Sequence, residues 1–177
     1  MDFIFHGLYR PIHHIRLPIV QHMRGAVIIA LIWLGASLPV PVYAEPVFPK
    51  IEIGITTSDG RVQRFDTELA HLPQLRQHGL MHRQDMADNQ AMLFIWPQPA
   101  KRLFWMKNTP LSLDILFFDN AGKLVHAHQN TTPFSEVLLS SEQVITYAVE
   151  LRAGVMAKAG INAASELVIS DVMPAAQ

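Results

Sequence analysis

Four charged residues stand beside the most apolar segments of the chain: Arg83, Lys107, Asp114 and Glu150. Lys107, Asn108, Thr109 and Asp114 interrupt an aromatic and apolar stretch that runs from Phe104 to Asp119. A neutral polar group in such surroundings must be paired or used, because burying it unpaired costs roughly 2–7 kcal/mol, and a charge costs more. Two chemistries fit. As two ion pairs, with Lys107 and Asp114 close across a turn, the four would pin loops onto the fold, and losing one partner would cost ~3–5 kcal/mol. Alternatively they open on a cleft. There Arg83, Lys107 and Asn108 offer donors to a small polar or anionic ligand, a peptide or a sugar, and Trp105 offers a stacking surface. The candidate ligand-binding residues are therefore Arg83, Trp105, Lys107, Asn108, Asp114 and Glu150.

Other chemistries have weaker support. Asp114 and Glu150 could act as a carboxylate pair in hydrolysis, which needs a separation of roughly 5–9.5 Å. Lys107 as a general base would need a lowered pKa, and a neighbouring Asp114 would raise it. His126 and His128 share one face of a strand, but two histidines without a third ligand make a poor metal site. His78 and His82 have i,i+4 spacing interrupted by Gly79; surface histidines are the simpler reading of all four. There is no Gly-x-Ser-x-Gly elbow and no phosphate-cradling glycine loop. The chain has no cysteine, so disulfides, thiolate nucleophiles and cysteine zinc sites are excluded. Met81, Met92, Met106 and Met156 fall in apolar runs and read as core filler. No catalytic residue, metal or cofactor is assigned.

The elements that must position these residues are mostly strands. Ile51, Ile53 and Ile55 alternate with polar or small residues, and Phe65, Thr67 and Leu69 do the same after the Ser58-Asp59-Gly60 turn. Pro73 suits the first turn of a short helix that Gly79 ends. Ala91–Trp96 is apolar on both sides, like a central strand, and Pro97 and Pro99 are expected to end it. Phe104–Met106 is a short strand, and Asn108-Thr109-Pro110 is a turn. Leu113–Phe118 is the central strand, with Leu113, Ile115 and Phe117 on one face and Asp114, Leu116 and Phe118 on the other. Lys123–His128 returns beside it after Asp119–Gly122. Residues 129–143 read as an irregular loop, Val144–Leu151 as a strand with Glu150 on the Thr146/Ala148 face, Arg152–Gly160 as a short helix, and Glu166–Ile169 as a last strand. The pattern predicts a mainly β domain over residues 51–170: a compact sandwich or barrel of about eight short strands with two short helices.

Residues 25–38 form an uncharged apolar run preceded by Arg24 and followed by Val42-Tyr43-Ala44. This is the pattern of a signal peptide cut after Ala44, which predicts a periplasmic or secreted protein. The run is short for a spanning helix, which needs ~20 residues. Met23-Arg24 would begin a signal peptide of ordinary length, so Met23 is read as the true start. Residues 45–50 read as a linker and 171–177 as a frayed tail. Removing residues 1–44 takes away Arg10, Arg16, Arg24 and Asp2, leaving eleven Lys/Arg against fourteen Asp/Glu, a charge of −3. No basic stripe points to nucleic acid. The expected partner is a small polar ligand or an envelope protein, with no membrane association after cleavage.

Four motifs occur in order: Gly79-Leu80-Met81-x-Arg83; Met92-Leu93-Phe94; Phe104–Thr109 with Leu113-Asp114-Ile115; and Glu150-Leu151-x-Ala153-Gly154 with Lys158-x-Gly160-Ile161. Together they resemble the bacterial and archaeal domain-of-unknown-function family 192 across about residues 51–170. The resemblance implies a compact β-rich fold and frequent export, and no agreed activity. Ala91, Ser112 and Ala164-Ser165-Glu166 depart from the glycine, proline and Gly-Asp usual there.

Overall fold

The computed structural model describes residues 46–169 and Ala176. The expected signal peptide, the expected start at Met23 and the C-terminal tail beyond residue 169, Ala176 apart, lie outside the described residues. β1 (Lys50–Thr56) and β2 (Val62–Ala70) form an antiparallel hairpin with Ile53 opposite Phe65. α1 (Pro73–His78) follows, with a proline in its first turn and Gly79 at its end, at φ +51° and ψ −134°, a backbone conformation that favours glycine. β3 (Gln90–Ala100) lies parallel to β2. Next come β4 (Leu103–Phe104), β5 (Leu113–Phe118), β6 (Leu124–His128), β7 (Leu139–Ser140) and β8 (Ile145–Arg152). α2 (Val155–Lys158) and β9 (Leu167–Ile169) complete the described chain.

The fold is mainly β, as the alternation predicts, with nine strands among the described residues. Seven form one mixed sheet in the order β6-β5-β8-β3-β2-β1-β9, and β4 pairs with β7 apart from it. The large sheet curls but does not close into a barrel. Its two edge strands are joined at one point, a Lys123–Glu166 bridge, where Leu167 N–H donates to the Gly122 carbonyl at 2.7 Å.

Both faces of the sheet are covered. On one, Ile53, Ile55, Phe65, Leu93, Leu116, Phe118 and Val149 pack with Val155 and Met156 of α2. On the other, Met92, Phe94, Leu113, Ile115, Phe117 and Ala148 pack with Leu75 of α1, Leu80, Met86 and Met106. The two faces of β5 fall as its period of two requires.

Three local expectations need correction. β3 runs through Pro97 and Pro99. Its ladder to β8 covers Ala91–Ile95 and resumes at Ala100, so both prolines sit in a register shift where no ladder bond needs their missing N–H. The strand expected at Phe104–Met106 is Leu103–Phe104. Residues 129–143 are not wholly irregular, because Leu139–Ser140 pairs with it.

Candidate functional site

The six candidate residues do not converge. Arg83 pairs with Glu68, Nη2 to Oε2 at 2.5 Å, and not with Glu150. That pair lines two surface grooves, of about 440 and 430 Å³, that also share Lys50. Sequence spacing gave no sign of it, since Glu68 is brought to Arg83 by the hairpin and the turn after α1.

Asp114 is fully buried, and its partners are backbone amides. Asn130 N–H donates to Oδ1 at 2.9 Å and Met156 N–H donates to Oδ2 at 3.0 Å. Met156 is in the first turn of α2, so the carboxylate satisfies a helix N-terminal amide, a position that favours negative charge. This accounts for an acidic residue on an apolar face. The expected Lys107–Asp114 pairing is not made.

Lys107 instead lays its Nζ 5.0 Å from the Trp105 ring centroid. Asn108 adopts a left-handed conformation (φ +55°), and its carbonyl accepts the His82 N–H at 2.7 Å. His82 is itself left-handed (φ +64°). The Thr109 carbonyl accepts from Phe134 N–H at 3.0 Å. The turn is thus stitched to two loops, one on either side.

Glu150 leaves the opposite face of the sheet from Asp114. It lies in register with Met92 on β3 and Ile115 on β5. The two carboxylates therefore cannot flank one scissile bond. Glu150 is 5% exposed, and its carboxyl meets no cation or hydrogen-bond donor among the described residues. Burial alone pushes that carboxyl up to about 8, so the group is neutral at pH 7. It lines a cavity of about 210 Å³ with Phe94, Trp96, Phe104, Trp105, Met81 and Thr109. Phe94, Trp96 and Phe104 form one aromatic cluster, with Phe104 edge-on to both neighbours at 5.4 and 6.0 Å.

Guanidinium groups surround the same cluster. Arg102 lies 4.9 Å and Arg76 5.8 Å from the Trp96 ring centroid. Arg76 also donates to the Ile95 carbonyl at 2.9 Å and lines the cavity. Burial, and after it the nearby Arg102 charge, hold Arg76 below the ordinary guanidinium value. The sequence reading missed Phe94, Trp96, Arg76 and Met81. A signal existed for two of them, since Phe94 and Trp96 are two apart on β3 and so share a face.

Of the four histidines weighed as ligands, His78, His126 and His128 are half-buried and His82 is exposed. His126 and His128 rings lie 4.8 Å apart against Phe117, and His128 Nε2 contacts the Ser140 carbonyl at 2.8 Å. Among the described residues no group of three or more His, Asp or Glu gathers as a metal site.

Comparison with known proteins agrees with the fold. A crystal structure of a candidate transcription regulator from Sinorhizobium meliloti 1021 is 34% identical, with a TM-score of 0.67, and the match covers 70% of this chain and 96% of that one. A protein of unknown function from Novosphingobium aromaticivorans DSM 12444 is 27% identical, with a TM-score of 0.65 over 71% of this chain and 93% of the other. No curated protein matches. The family described as DUF192, Uncharacterized ACR, matches residues 54–169. The chain belongs to the DUF192 family.

Proposed function

We propose that this domain is an exported, non-catalytic binding module whose small ligand enters the aromatic cavity above Glu150. The observation that carries this reading is the Glu150 carboxyl, on a buried residue without a hydrogen-bond or ion-pair partner among the described residues, at a cavity walled largely by aromatic and apolar side chains. A carboxyl on a buried residue without a partner is costly to keep, and largely apolar cavities with a few convergent polar groups are where small ligands bind. The cavity is smaller than the roughly 300–1,000 Å³ of drug-sized sites, which suits a single ring with a short arm. Trp105 and Glu150 line this cavity, Lys107 and Asn108 touch its wall through Trp105 and Met81, and Arg83 and Asp114 serve the fold. Export rests on the apolar run 25–38 and the Val42-Tyr43-Ala44 ending. The regulator name of the S. meliloti relative is not carried over, because an acidic domain has no stripe with which to release phosphate counterions.

A fragment screen read by amide chemical shifts tests the site. Hits are expected to shift Met81, Phe104 and Glu150, to be lost in Glu150→Leu and to be kept in Arg83→Ala. Hits that map only to the Arg83–Glu68 grooves would refute the assignment. Mass spectrometry of envelope material tests export, with a mature N-terminus expected at Glu45.

A second reading, an envelope contact through residues 129–143, is favoured by one observation. Phe134 is 62% exposed and left-handed (φ +58°), and Val137 and Leu138 beside it are exposed too. Site-specific crosslinking at Phe134 in intact cells tests it; absence of any adduct counts against it.

A further inference from the structure

We propose that the Glu150 cavity takes a small organic anion, a monocarboxylate with an apolar or aromatic body, and rejects an amine of the same shape. This rests on the binding-module reading and adds the charge of the ligand. Three observations lead to it.

First, the aromatic faces that would attract a cationic ligand already carry cations of the protein. Trp96 has Arg102 and Arg76 within 6 Å of its ring, and Trp105 has Lys107. A ligand ammonium would meet like charge at the mouth, with Arg76 itself in the cavity lining.

Second, Glu150 is the sole acidic residue among the lining side chains. It lies on the interior strand β8, between Met92 of β3 and Ile115 of β5, in apolar surroundings that favour the neutral acid. A neutral carboxylic acid offers an O–H donor. Hydrogen bonds of the O–H···O⁻ type are short and roughly twice as strong as neutral ones. A carboxylate is therefore the partner that gains most from this donor.

Third, most of the remaining wall is apolar. Leu80, Met81, Phe94, Leu103 and Phe104 line it, with Gln77, His78 and Thr109 as its other polar members, so the body of the ligand is largely apolar. One anionic end toward Glu150 and Arg76 and one ring against Phe104 match this division of the lining.

The test uses three probes with the same ring and two-carbon arm: phenylacetate, 2-phenylethanol and 2-phenylethylamine. Each is titrated into ¹⁵N-labelled protein at pH 6.5 and at steps to pH 9.5. Phenylacetate is expected to shift the amides of Met81 and Phe104 and to bind at least tenfold tighter than the amine. Its affinity should hold to about pH 8 and then fall about tenfold per unit as Glu150 loses its proton. Glu150→Gln keeps a donor and should bind phenylacetate with a flat profile across that range, while Glu150→Leu should not bind it. If the alcohol or the amine binds the cavity as tightly as the acid, the charge assignment is wrong and the binding module stands. If the wild-type profile stays flat through pH 9.5, the acid is not the donor and the inference fails. If none of the three shifts a cavity amide at millimolar concentration, the cavity reading falls with it.

Discussion

Replacing Glu150 by glutamine should stabilise the protein at neutral pH and leave it unchanged in acid. The carboxyl has an ordinary value of 4.5 and is pushed up to about 8 in the folded protein. A group whose folded value is raised holds its proton more tightly when folded. The stability tied to that proton is complete below pH 4.5, declines as the pH rises, and is fully lost above about 8. Each unit of separation is worth ~1.36 kcal/mol. At pH 7 the wild-type protein has therefore given up about 3 kcal/mol, and above pH 8 about 5 kcal/mol. Glutamine has nearly the same shape and does not titrate. Urea unfolding of both proteins from pH 4 to pH 9 reads the difference directly, because every other titrating group is common to the pair. The expected gap is near zero at pH 4 and widens in favour of Glu150→Gln through neutrality. A gap that does not change with pH would refute the reasoning, because it would mean that Glu150 is as readily ionised in the folded protein as in the unfolded chain.

Two further substitutions test the supports of the site. Asp114→Ala strands the amides of Asn130 and Met156 and should cost about 2–5 kcal/mol in chemical denaturation, while leaving cavity ligands bound at low denaturant. Gly79→Ala places a Cβ at φ +51° and 3.4 Å from Phe94 Cζ; it should cost about 1–2 kcal/mol, a melting shift of a few degrees, and narrow the cavity.

Much of the fold was legible locally. The period of two in Leu113–Phe118 assigned both faces of β5, although the strand lies next to the sheet edge and β3 holds the centre, and Pro73 with Gly79 marked both ends of α1. What failed is what no local pattern carries. The parallel pairing of β2 with β3 joins residues whose own sequences would suit either direction. Arg83 sits beside an apolar segment, yet its partner comes from a strand earlier in the chain. Pro97 and Pro99 read as terminators because a proline costs a ladder bond, but the register shift had already released that bond. Glu150 was found through its apolar neighbours. Its isolation was not, since the absence of a partner is a property of the whole packed face. Asp114 was noticed for the same reason as Glu150, and only the fold separates them, one holding backbone amides and the other facing a cavity.

The pairing of β1 with β9 has a consequence for how the chain is made. Ile53, near the start of the domain, lies opposite Ile169, near its end. Ladders between such distant residues must overcome the entropy of closing the intervening chain, and they slow folding. β1 gains its second neighbour only after β9 has left the ribosome, so the edge of the sheet stays open throughout synthesis. Until that last strand arrives, β1 is an edge strand whose unpaired N–H and C=O groups can template pairing with another chain.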